Sequence, residues 1–135
     1  MQLTEMSGTL IDRLFVPGQA TAGTVDDWVL KVCDLKLTLV AVKLVPNAAI
    51  TANGTNYFDL AVINKGAAAA GSTSMATRSW AATNSVAFVS ESMTLSATAA
   101  NLNAAAGDVL DLQRTITASG LAMPDMLVEL HYKLR

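Results

Sequence analysis

The most chemistry-like spacing in the chain is Gly66-Ala67-Ala68-Ala69-Ala70-Gly71-Ser72-Thr73, which has the G-x-x-x-x-G interval of a phosphate-binding loop. The position that must carry lysine to neutralise the β and γ phosphates holds Ser72, and no βαβ pattern surrounds it, so it reads as a glycine-flanked loop. His131 is the sole histidine, and any Ser-His-Asp or Cys-His arrangement would have to be built on it. It sits between Glu129 and Lys133 on the polar side of an alternating segment, the place of a solvated or interface histidine. Asp26-Asp27 and Asp108 with Asp111 are the candidate carboxylate pairs for hydrolysis or calcium. Adjacent residues of a strand point to opposite faces, which separates Asp26 from Asp27, and Asp108 follows Ala106-Gly107 as a turn residue bonding nearby amides. Asn53-Gly54-Thr55 fits a glycosylation acceptor, but Asn-Gly is a hairpin-turn signal that accounts for it, and the turn is the reading favoured. Trp28, Trp80 and Tyr57 would form a sugar-stacking platform, although a small sandwich core uses three aromatics of its own. No residue set argues for an enzyme: no catalytic, cofactor-binding or metal-binding residues are assigned, and no small-molecule substrate is expected.

Composition narrows the remaining classes. Of 135 residues 52% are hydrophobic and only 15% charged, where about 25% charged is usual, so intrinsic disorder is excluded and burial of surface in partners is favoured. A net charge of −2 with nine scattered Lys and Arg offers no footprint for a phosphate backbone, so no nucleic acid is expected. The apolar run Leu37 to Val42 is bounded by Lys36 and Lys43, far short of the roughly 20 residues that span a bilayer, so no membrane is expected. Glu5, Asp12 and Arg13 interrupt the first residues with no apolar stretch between them, and no secretory signal is expected there. The single Cys33 cannot staple the fold.

The elements that would position these residues are strands. Leu35, Leu37, Leu39 and Ala41 share one face of an extended segment that Pro46 ends, and Phe58, Leu60 and Val62 alternate with Asp59, Ala61 and Ile63 over Tyr57 to Asn64. Further strands are expected over Ser74 to Trp80, Val86 to Ser90, Val109 to Thr117 and Met126 to Leu134. The alanine-rich stretches Ala67 to Ala70 and Ala97 to Ala106 are too broken by Gly, Ser, Thr and Asn for long helices, leaving room for one turn near Ala99 to Leu102. Short strands at intervals of about 8–12 residues give an all-β fold, a β-sandwich or jelly roll, over residues 25–135. Residues 1–24 read as an extended N-terminal arm and linker, with Leu10, Ile11, Leu14 and Phe15 on one face of a short helix that Pro17 ends. Such a helix is unstable alone and must bind something, while deletion of Met1 to Thr24 should leave the sandwich folded.

Three passages carry a resemblance: Leu39-Val40-Ala41-Val42-Lys43-Leu44-Val45-Pro46-Asn47-Ala48-Ala49-Ile50, Asn56-Tyr57-Phe58-Asp59-Leu60-Ala61-Val62-Ile63-Asn64-Lys65-Gly66, and Met93-Thr94-Leu95-Ser96 through Ala106-Gly107-Asp108-Val109-Leu110. Over residues 35 to 135 the chain resembles the small capsid decoration, or cement, proteins of tailed bacteriophages, by pattern and without an invariant motif. The resemblance implies a homotrimeric jelly-roll virion protein on the outer capsid surface, with the major capsid protein as partner and an arm across neighbouring subunits. It transfers no individual residue. Leu10, Ile11, Leu14 and Phe15 are capsid-contact candidates by hydrophobicity alone. The other reading is a tail component or a fibre, receptor-binding sandwich of the virion.

Overall fold

The computed structural model describes residues 8–135. Ten strands follow in order: β1 (Leu10–Val16), β2 (Asp26–Val32), β3 (Leu37–Pro46), β4 (Tyr57–Asn64), β5 (Thr73–Ser79), β6 (Glu91–Ser92), β7 (Thr94–Leu95), β8 (Asn103–Ala104), β9 (Val109–Thr117) and β10 (Met126–Leu134). One 3-10 turn, Ala99–Leu102, precedes β8, where alanine propensity meets a chain too interrupted to continue a helix. The fold is all-β, and the strands form two antiparallel sheets. The first runs β1-β10-β3-β6, with β8 pairing the other end of β3, and the second runs β2-β9-β4-β5-β7. The first four strands alternate between the sheets, so their connections cross the sandwich rather than turn as hairpins.

Period-two patterning drives this arrangement, because a strand between core and solvent must alternate. Phe58, Leu60 and Val62 of β4 and Met126, Val128, Leu130 and Tyr132 of β10 point inward and are buried. In β3 the alternation changes phase. Leu37 and Leu39 are buried, then Val42 and Leu44, because Val40 is an extra residue where Ala41 pairs His131 and Leu39 pairs Tyr132. A bulge of this kind shifts the inward face by one residue, so Ala41 does not share the face of Leu39 as simple alternation expects.

Three expectations are corrected. Residues Leu10 to Phe15 are not a helix on a separate arm: β1 pairs β10 in unbroken register from Leu10↔Tyr132 to Val16↔Met126. Leu10 and Leu14 pack against the core while Ile11 and Phe15 face outward, so the four candidates divide between the two sides of a strand. The following segment is docked too. Gln19 and Met123 exchange two backbone hydrogen bonds of 2.8 Å, and a Cβ on Gly18 would lie 2.7 Å from the Asp125 nitrogen. The part of the proposed arm before residue 8 lies outside the described residues. Secondly, Val86 to Ser90 is not a strand but an exposed turn after the bridge between Ile50 and Ser85. Asn53-Gly54, moreover, does not close a hairpin, since β3 and β4 belong to different sheets. Asn53 Oδ1 instead accepts the amides of Thr55 and Asn56, both at 2.9 Å.

Candidate interaction surface

The register builds the outer face of the first sheet row by row. Phe15, Leu127 and Val45 are aligned across β1, β10 and β3, then Arg13, Glu129 and Lys43, then Ile11, His131 and Ala41. The apolar row borders a groove of about 220 Å³ lined by Phe15, Val45, Asn47, Phe88, Asp125, Met126 and Leu127. Phe15 is 69% and Phe88 77% exposed, so two of the chain's three phenylalanines stand in solvent beside one groove. Val86 and Val89 are exposed in the same turn as Phe88. Aromatic side chains bury large areas and dominate interface energetics, and their clustered exposure makes this the candidate interaction surface.

Phe88 has a left-handed backbone, φ 59°. For a bulky residue this conformation costs on the order of 1–3 kcal/mol and persists only when its surroundings enforce it. The enforcing contacts lie at the base of the turn. The Phe88 amide donates to the Pro46 carbonyl at 2.8 Å, and Ser85 exchanges two backbone hydrogen bonds with Ile50. The Ser85 hydroxyl accepts from Trp80 Nε1 at 2.7 Å and donates to the Glu91 carboxylate, with oxygens at 2.8 and 2.9 Å. Arg78 closes the network, 3.2 Å from Glu91 and with its guanidinium carbon 4.6 Å from the Trp80 ring centroid. Trp80, wholly buried, also packs on Phe58 with ring centroids 4.4 Å apart. That burial removes Trp80 from any sugar platform with Trp28 and Tyr57.

The other chemistry-bearing residues are dispersed. His131 Nε2 lies 3.6 Å from Glu129 on the outer face of β10, and Glu129 also pairs Arg13 at 3.3 Å. Asp108 accepts the Ala105 amide and the Asn64 side-chain amide, each at 2.8 Å, and so holds its turn together. Asp26 and Asp27 open β2 and face opposite ways. Asp111 is buried on β9 with Lys65, 3.8 Å away, as a counter-ion; burial pushes its carboxyl above the ordinary value, against the attraction of Lys65. Between Gly66 and Gly71 the chain makes the β4–β5 connection, and β5 follows where a phosphate loop would need a helix. Among the described residues no group of three or more His, Cys, Asp or Glu is placed to hold a metal ion, and no helix is long and apolar enough to cross a membrane.

Two polar clusters join the sandwich at its margins. Lys31 of β2 pairs Asp12 of β1 at 2.7 Å and lies 3.4 Å from the Tyr132 hydroxyl, linking the edge strands of the two sheets beside a pocket of about 140 Å³. Burial disfavours the Lys31 charge, but its hydrogen bonds to Asp12 and Tyr132 and the negative charge of Asp12 outweigh that, raising its pKa. A lysine so held remains a cation and is neither a nucleophile nor a base at neutral pH. Burial raises the Cys33 thiol as well, which keeps it protonated and unreactive. Arg114, wholly buried, donates to the carbonyls of Thr24, Ala22 and Leu121 and lies 5.0 Å from the Phe58 ring centroid.

Sequence reasoning named Ile11 and Phe15 on this surface but missed Val45, Phe88 and Leu127. The short run Val86-Ala87-Phe88-Val89 carries a strand composition, and only the flanking Asn84-Ser85 and Ser90 hint at a turn. No protein-family model, no curated protein and no solved structure matches the chain.

Proposed function

We propose that the protein is a structural component of a tailed-phage virion, a jelly-roll decoration protein that binds the outside of the expanded head as a homotrimer. The observation that carries this reading is the groove between Phe15 and Phe88, a solvent-facing apolar surface on a rigid sheet. The alternation of the first four strands between sheets supports a jelly roll, and the low charge suits a surface that spends its life in contact. The resemblance over residues 35 to 135 supplies the partner, the major capsid protein.

The mechanism is mechanical. Packaged DNA strains the joints between capsomers, and a ligand that binds only the expanded shell stabilises that state by its binding free energy. Three modest contacts on one trimer act together, because the second and third bind at high effective concentration. The test is co-sedimentation of the purified protein with shells of the source phage that lack it, expanded and unexpanded, across a concentration series. Saturable binding to expanded shells alone is expected, and Phe15→Ser or Phe88→Ser should weaken it at least about tenfold. Absence of binding at micromolar protein would sink this reading and move the weight to a tail or fibre role.

A further inference from the structure

The two broad faces of the sandwich carry opposite charge, which the net value of −2 conceals. Outward on the first sheet stand Arg13, Lys43 and Lys133 against Glu129, and Asp125, just before β10, lines the groove with its carboxylate accepting the Gly18 amide. Outward on the second stand Asp27, Asp59 and Asp111, with Lys65 at the end of β4. Setting aside the pairs Arg13–Glu129 and Lys65–Asp111 leaves, among the described residues of these faces, Lys43 and Lys133 against Asp125 on one side, a net positive face, and Asp27 and Asp59 on the other. The Phe15–Phe88 groove lies on the cationic side. Its apolar row and the row of Arg13, Glu129 and Lys43 are two residues apart along each strand, roughly 7 Å, which one partner surface spans easily.

We infer that the groove receives a protein surface whose apolar ridge is bordered by carboxylates, so that the molecule docks with its first sheet down and its acidic sheet outward. This deepens the reading of the groove as the shell contact and rests on it. The apolar groove supplies the adhesion. Charges at its rim fix orientation and speed encounter, and the opposite face is repelled by the same carboxylates. The fixed Phe88 turn sharpens the selection, because an anchor already in its bound conformation loses little freedom on docking.

The experiment is saturation binding to expanded shells at 50 and 500 mM salt. Lys43→Glu and Lys133→Glu are each expected to weaken binding about threefold or more at low salt and little at high salt, while Asp27→Lys and Asp59→Lys bind like wild type. If Phe15→Ser abolishes binding but the lysine reversals have no effect, the groove stands as the contact and the charge inference is overturned. Should wild type not bind shells, the shell reading fails separately, and the inference is read with random copolymers of glutamate and tyrosine or lysine and tyrosine. Shifts in the backbone amides of β3 and β10 with the acidic copolymer alone would then support it, and their absence would overturn it. Concentration-dependent self-association abolished by Lys43→Glu and equally by Asp59→Lys would also overturn it, assigning the groove to the acidic face of a second copy.

Discussion

Arg114 illustrates how a single side chain can hold loops that lack ladder partners. Its guanidinium satisfies carbonyls of Ala22, Thr24 and Leu121, from segments almost a hundred residues apart. Arg114→Leu keeps much of the volume but orphans those acceptors, each worth about 1–3 kcal/mol when buried. A loss of about 3 kcal/mol or more in urea unfolding is expected, and a loss below about 1 kcal/mol would mean water replaces the guanidinium. Asp111 has the opposite sign of effect. Its folded-state pKa lies above the unfolded one, so the folded state binds the proton more tightly and stability falls as pH rises through that interval. Asp111→Asn is therefore expected to be more stable than wild type near neutrality, with the difference shrinking as the pH is lowered into the carboxylate range. Thermal melts across pH check both the sign and the convergence. Phe88 should separate stability from binding. Phe88→Gly removes the left-handed strain and leaves the network beneath intact, so it should melt at or above the wild-type temperature while binding shells worse.

At the scale of elements, β1 decides between an appendage and a working edge of the sheet. Leu14 packs against the core and Phe15 stands in solvent, so Leu14→Ala should cost about 2 kcal/mol whereas Phe15→Ser stays within about 0.5 kcal/mol of wild type. Deletion of residues 1–24, expected from sequence to spare the sandwich, should instead unfold it by stripping β10 of a partner. Circular dichroism of the truncated chain settles this. Much of the fold was legible because burial on one face forces alternation: β4, β9 and β10 have the bounds their sequence pattern gives. β1 was not. Apolar residues at positions 10, 11, 14 and 15 satisfy a helical stripe, yet equally give a strand with two residues on each face, and pairing with β10 selects the strand. The phase change at Val40 and the turn at Phe88 depend on partners distant in sequence; local composition carries no trace of the first and, for the second, only the flanking Asn84-Ser85 and Ser90. The same holds for the candidate surface: Phe15 was visible as an unattached apolar residue, but its alignment with Leu127 and Val45 exists only through register.

For the molecule as a whole, the sheets are assembled almost wholly from strands distant in sequence. β9 pairs both β2 and β4, and β10 lies between β1 and β3. Such topologies fold slowly, and refolding from urea by stopped flow is expected on a millisecond-to-second timescale, not in microseconds. A microsecond phase that recovered full native signal would contradict this topology's dominance. The position of β10 has another consequence, for biosynthesis. It is the central strand of the first sheet and the last of the ten to leave the ribosome. Until it emerges, β1 and β3 wait with their facing edges open, two ribbons without the strand that separates them. A nascent chain halted before Met126 should therefore engage chaperones or its neighbours on a polysome, and release should come when β10 itself emerges rather than gradually.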